Sequence, residues 1–180
     1  MATRITKATI LPCTLPEAAL LRSYHGTGAY TDCFTTDLPG TFSHQQFVAA
    51  FYATWAFKPE QFILKWLLKK PSTDAQAAQL AAGNIKQFAA WSVEKRAKDQ
   101  LLLCDFMGST RSWLMIEAIS IDNAAATRLY FGSAVVPRRD RKTGQVSLGP
   151  GFKLLLGFHK AYSKILLRAA CGRLSTTTSA

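Results

Sequence analysis

The chain is short of negative charge. It holds 11 Asp and Glu against 22 Lys and Arg, a formal net charge of +11 over 180 residues. No apolar run approaches the roughly 18 residues that a membrane-spanning helix needs. Residues Met1 to Leu21 interleave Arg4, Lys7, Pro12 and Pro16 with apolar residues, so no signal-peptide core is read there and a cytoplasmic protein is the expectation. Four cysteines (Cys13, Cys33, Cys104, Cys171) form no Cys-x-x-Cys pair, and buried free thiols are expected. The three histidines (His25, His44, His159) lack metal-ligand spacing, so neither a metal nor a cofactor is expected. The sequence contains no Gly-x-x-x-x-Gly-Lys-[Ser/Thr] phosphate loop, no Gly-x-Ser-x-Gly elbow and no His-Glu-x-x-His. Gly26-Thr-Gly28 lacks the third glycine of a dinucleotide turn and reads as a plain turn.

What the chain does have is apolar surface to bury. Hydrophobic residues make up 48% and charged residues 18%, which excludes disorder and a collagen-like or disulfide-stapled scaffold. One domain over residues 1–173 is expected, with a frayed tail at 174–180. The charge is uneven. Residues 1–122 carry a net +2 and residues 123–180 a net +9, so a basic surface is concentrated in the last third.

Helix start signals recur in the first half. Thr14-x-x-Glu17 reads as a capping box for a short helix over 16–24. Tyr30 to Asp37 reads as a strand ended by Pro39-Gly40. Ser43-x-x-Gln46 opens a helix with Phe47, Phe51 and Trp55 on one face, and Pro59 opens another with Phe62, Ile63, Trp66 and Leu67. Thr73-x-x-Gln76 caps a third helix that ends at Gly83-Asn84. The period then changes to two. Strands are predicted at 87–97, 100–107, 111–120 and 127–136, separated by Lys98-Asp99, Gly108-Ser109 and Asp122-Asn123, which makes an antiparallel meander. A basic Gly/Pro-rich loop at 137–151 leads into a long helix over 151–171.

The fold class is therefore α+β: an antiparallel meander sheet packed on a long C-terminal helix, with a helical insertion after the first strand. On the last helix, Lys153, Lys160, Lys164 and Arg168 share one stripe, and Leu155, Phe158, Tyr162, Leu166 and Ala169 lie opposite. Leu156 and Leu167 edge the basic stripe. As an exposed pair they point to a partner surface or a homodimer. An unbroken register puts Glu94, Arg96, Leu101, Leu103, Asp105, Leu114, Ile116, Leu129, Phe131, Ser133 and Val135 on one sheet face. The final helix is expected to cover one face, and the helices of residues 44–83 or a second subunit the other.

The order strand, helices, antiparallel meander, long C-terminal helix over about residues 29–171 resembles the helix-grip architecture of the START and Bet v 1-like superfamily. That resemblance implies an apolar cavity between sheet and C-terminal helix. The segments Leu129-Tyr-Phe-Gly-Ser-Ala-Val-Val136 and Gly157-Phe-His-Lys-Ala-Tyr-Ser-Lys-Ile-Leu-Leu167 look like the C-terminal portion of uncharacterised bacterial proteins in a domain-of-unknown-function family, and no activity comes with that likeness.

Three readings of function follow from these residues. In the first, an apolar or aromatic small molecule lies in the cavity, lined by Arg96, Leu103, Leu114, Phe131, Ser133, Phe158 and Tyr162. In the second, the same cavity is an enzyme site, with Glu94, Asp105 or His159 as acid/base. In the third, Arg138, Arg139, Arg141 and Lys142 contact the phosphates of an anionic membrane or a nucleic acid.

Overall fold

In the computed structural model, residues 8–54, 73–139, 146–148 and 152–177 are described, with side chains at all of these except 138–139, 146, 152–159 and 177. The expected helix after Pro59, together with Trp55, Arg141 and Lys142, lies outside the described residues.

The elements in chain order are β1 (Leu11–Pro12), a 3-10 helix (Leu20–Tyr24), β2 (Tyr30–Pro39), α1 (His44–Tyr52), α2 (Asp74–Ala82), β3 (Gln87–Phe88), β4 (Trp91–Arg96), β5 (Gln100–Asp105), β6 (Thr110–Ile121), β7 (Ala124–Val135), β8 (Arg138–Arg139), β9 (Val146–Ser147) and α3 (Phe152–Thr177). β1 to β7 form one seven-stranded sheet in the order β1-β2-β7-β6-β5-β4-β3, antiparallel throughout. β8 and β9 pair separately. This is the expected α+β class, with β2 pairing the last strand of the meander.

Local chemistry explains most of the boundaries. Ser43 caps α1 and Thr73 caps α2, each through a complete capping box with a glutamine three residues on. Gly83 ends α2 in the left-handed region at φ 83°. Asp122 and Asn123 both take positive φ (50° and 63°), the geometry of a type I′ turn whose twist suits a two-residue hairpin. Ile121 therefore faces Ala124 across the end of β6 and β7.

Four expectations are corrected. Thr14-x-x-Glu17 does not start a helix. The chain instead makes a 3-10 helix at Leu20–Tyr24, whose N-cap Ala19 offers no side-chain hydrogen bond. The single strand expected over 87–97 is two strands folded at Ala89, where φ is 51°, with Phe88 opposite Trp91. The C-terminal tail does not start at residue 174: α3 runs to Thr177, and Leu174 is buried in the core. Leu167 is also buried, so it forms no exposed pair with Leu156, whose side chain lies outside those described.

The two faces of the sheet are covered differently from expectation. The inner face presents Phe34, Leu38, Leu101, Leu103, Leu114, Leu129 and Phe131 to Phe47 and Phe51 of α1, Leu80 of α2, and Leu166, Leu167, Ala170 and Leu174 of α3. All three described α-helices thus serve one face. The outer face carries Cys33, Leu102, Trp113, Met115, Tyr130 and Ala134, and the N-terminal segment closes it with Ala19 and Leu21, flanked by Cys13, Leu15, Leu20 and Tyr24. No second subunit is needed to cover that layer.

Gly132 allows this close packing. A Cβ there would lie 2.8 Å from the Asp32 carbonyl oxygen, 2.9 Å from Leu21 Cδ2 and 2.9 Å from Trp113 Cε3. One of these contacts is backbone, so relief needs the strand to move. Gly132→Ala is expected to destabilise the fold by about 1–3 kcal/mol, read as a lower urea midpoint at an unchanged slope. An unaltered midpoint would contradict the close approach.

Candidate functional site

The expected polar cluster of Glu94, Arg96 and Asp105 does not assemble. The pairing of β4 with β5 shifts between Val93 and Lys95, a bulge that places Glu94 on the outer side. There Glu94 accepts from Arg111 Nε at 2.6 Å and from the Tyr24 hydroxyl at 2.6 Å. The Arg111 guanidinium also sits 4.7 Å from the centre of the Tyr24 ring and donates from Nη1 to the Gly108 carbonyl at 3.0 Å. Burial, then the Glu94 hydrogen bond, push the Tyr24 phenol above its ordinary value. This group ties the 3-10 helix to the sheet.

Arg96 stays on the inner side, opposite Leu101, but its guanidinium donates to the Leu80 carbonyl at 2.6 Å and the Ala81 carbonyl at 3.5 Å. It adds a donor to the last carbonyls of α2, where Leu80 also accepts from Gly83 N. Asp105 builds the β5–β6 turn: its carboxylate accepts from Ser109 N at 2.7 Å, Ser109 Oγ at 3.0 Å and Thr110 N at 3.2 Å. Both of these charges are occupied by structure.

A different polar row crosses the inner face. Ser112 faces Ser133, and Ser133 faces Asp32, across three neighbouring strands. Ser133 donates to Asp32 Oδ1 from its hydroxyl at 2.6 Å and from its backbone N–H at 3.1 Å. Tyr30 donates its hydroxyl to Asp32 Oδ2 at 3.2 Å. Ser112 and the Tyr52 hydroxyl are hydrogen-bonded at 2.9 Å. Burial is the main cause that pushes the Tyr30 phenol far above its ordinary value, and the Asp32 charge adds to it. A carboxylate and several hydroxyls on an otherwise apolar face can orient a ligand by hydrogen bonds.

Burial is uneven along this face. Leu101, Leu103, Leu114 and Leu129 are fully buried and Phe131 nearly so. At the end where Tyr30, Thr110 and Val135 align, Tyr30, Asp32, Thr110 and Val135 are only half-buried. The turn that borders this end holds Phe106 and Met107, both more than half exposed. The polar row thus lies where the closed interior gives way to the half-open end.

Of the expected ligand-lining set, Leu103, Leu114, Phe131 and Ser133 share the inner face, and Tyr162 packs against its core. The Phe158 and His159 side chains lie outside those described. Arg138 and Arg139 form the backbone of β8, next to the half-open end, and their side chains also lie outside those described. The sequence reading missed Asp32. Its signal was parity: Tyr30, Asp32, Phe34, Thr36 and Leu38 alternate along β2, and Phe34 and Leu38 point into the core.

The described clefts are elsewhere. One of about 790 Å³ runs past Pro16, His44, Lys98, Gln100, Met115 and Tyr130. Its Gln100 amide accepts from Leu20 N at 2.9 Å and Trp113 Nε1 at 2.9 Å and donates to the Ala18 carbonyl at 3.0 Å. In the same cleft Tyr130 donates to Glu117 at 2.7 Å, and burial followed by that bond pushes its phenol up to about 12. Among the described residues no cluster of His, Cys, Asp and Glu could hold a metal ion, and no helix is long and apolar enough to cross a membrane.

No family model and no curated protein matches this sequence. The reading of the site therefore rests on its own geometry.

Proposed function

We propose that this protein binds an apolar or aromatic small molecule between the inner face of the sheet and α3, entering at the end marked by Tyr30 and Val135. The observation that carries this reading is the asymmetry of the inner face. Its middle is closed by Leu101, Leu114, Leu129 and the buried Ser133, and the end that leads into β8 is half-buried and bears Tyr30 and Asp32. Apolar walls with a few placed polar groups are the usual make-up of a ligand site. The order of the elements, with α3 packed on the inner face, supports the cavity between sheet and C-terminal helix that the helix-grip resemblance implies. Neither Glu94 nor Asp105 is placed to act on such a ligand.

The test is native mass spectrometry of the freshly purified protein, followed by denaturation and identification of any released molecule. A stoichiometric apolar adduct is expected. Val135→Trp, which fills the half-open end, is expected to weaken adduct retention about tenfold or more, a change of about 1.4 kcal/mol, while leaving the melting temperature near that of the wild type. An adduct retained equally by this variant would contradict the site.

A second reading rests on the exposed row Lys160, Lys164 and Arg168 on α3. Such a row suits an anionic membrane or nucleic-acid surface. A clean apo mass, together with vesicle or nucleic-acid binding that falls steeply with salt, would favour it.

A further inference from the structure

Cys13 and Cys33 are 20 positions apart in sequence, yet their Sγ atoms lie 2.8 Å apart. The register explains why. Leu11 faces Thr35 and Pro12 faces Phe34, so Cys13 comes next opposite Cys33, and its N–H donates to the Cys33 carbonyl at 3.0 Å. Directly opposed residues in such a pair have Cα atoms about 5.5 Å apart, inside the range a disulfide spans. β1 is the edge strand, and Cys13 is half-buried whereas Cys33 is buried. Cys13 is thus the thiol a reagent reaches first. Both are free thiols here.

We propose that Cys13 and Cys33 form a redox site, a dithiol that a low-molecular-weight disulfide converts to an intramolecular disulfide, tethering the outer-face segment to the sheet edge. The steps balance. The Cys13 thiolate attacks one sulfur of the reagent, making a mixed disulfide and releasing one thiolate. The Cys33 thiol gives up its proton to the released thiolate and attacks Cys13 Sγ, expelling the second reagent thiolate, which takes up the proton first lost by Cys13. Two cysteines are oxidised and one reagent disulfide is reduced to two thiols.

Environment separates the four thiols in the same sense. The contact with Cys33 holds Cys13 below its ordinary value, which favours the attacking thiolate. Cys33 is pushed up by its contact with Cys13 and by burial. Burial raises Cys104 and pushes Cys171 up to about 12. The segment between the paired cysteines contains Leu20, Leu21 and Tyr24, which cover Trp113 and Leu102. Closing it covalently would limit how often that layer opens.

The test uses the full chain under native conditions. It is incubated with oxidised glutathione, remaining thiols are alkylated, and peptides are mapped by mass spectrometry. A Cys13–Cys33 cross-link is expected as the main product, reversed by dithiothreitol. It should raise the melting temperature by about 5–10 °C relative to the reduced protein. Cys104→Ser should leave both results intact, and Cys13→Ser should abolish both. A stable glutathione adduct on Cys13 without a cross-link, or a cross-link that leaves the melting temperature unmoved, would overturn the proposal. The comparison of oxidised with reduced wild type decides the matter even if a cysteine variant folds poorly.

Discussion

Trp113→Ala is expected to remove about 3–5 kcal/mol of folding stability, a large part of what a single domain of this kind possesses. Trp113 is fully buried in the layer between the sheet and the N-terminal segment. Its ring lies 6.2 Å from that of Tyr130 and rests against the bare Cα of Gly132. Its Nε1 donates to Gln100 Oε1 at 2.9 Å, the same oxygen that accepts the Leu20 backbone N–H. Truncation therefore opens a cavity under Leu21 and removes one anchor of the Gln100 bridge. Trp113→Phe keeps most of the packing and loses the hydrogen bond, worth about 1 kcal/mol. Equilibrium urea unfolding reads both changes. An alanine variant as stable as the wild type would mean that the N-terminal segment does not close this layer.

The second large effect is a dependence on acid. His44 opens α1 and is buried. Burial holds its imidazole well below the ordinary value, at about 4, although a hydrogen bond with the Leu114 backbone works in the opposite direction. Its Nε2 is buried with no partner among the described residues. The folded state therefore keeps the neutral ring while an unfolded chain, with a histidine value of about 6.5, takes up a proton. Stability linked to His44 is complete above about pH 6.5 and is lost as the pH falls towards 4. A gap of this size corresponds to about 3 kcal/mol. Below pH 4 both states are protonated and nothing more is lost. His44→Gln keeps an amide donor and does not titrate. Its melting temperature should fall much less than that of the wild type between these two pH values. Parallel pH curves for the two proteins would contradict a buried neutral His44.

These two residues show which parts of the fold local sequence encodes. Capping boxes at Ser43 and Thr73, the left-handed Gly83 and the Asp122–Asn123 turn are decided within a few residues, and all four were legible. The turn at Ala89 was not, because two alanines carry no turn chemistry and the positive φ is imposed by the pairing of Phe88 with Trp91. The bulge beside Glu94 has the same origin. It depends on the partner strand, and once present it separates Glu94 from Arg96. It removed Glu94 from the expected cluster, and Arg96 and Asp105 are held apart by the end of α2 and the β5–β6 turn. The row formed by Ser112, Ser133 and Asp32 needed long-range register, since Asp32 and Ser133 are 101 residues apart. The cover of the outer face was hidden for a further reason. Leu20 and Leu21 work through contact with strands far along the chain, in a helix too short to show a period.

The most direct measurement of where a ligand sits is a proton–nitrogen correlation spectrum of the reduced protein titrated with anilinonaphthalene sulfonate. Saturable shifts are expected at Tyr30, Asp32, Ser133, Val135 and Tyr162, with Met115 and Trp113 of the outer face unmoved. Shifts confined to the outer face, or to the exposed basic residues Lys160 and Arg168, would contradict a binding site between the sheet and α3.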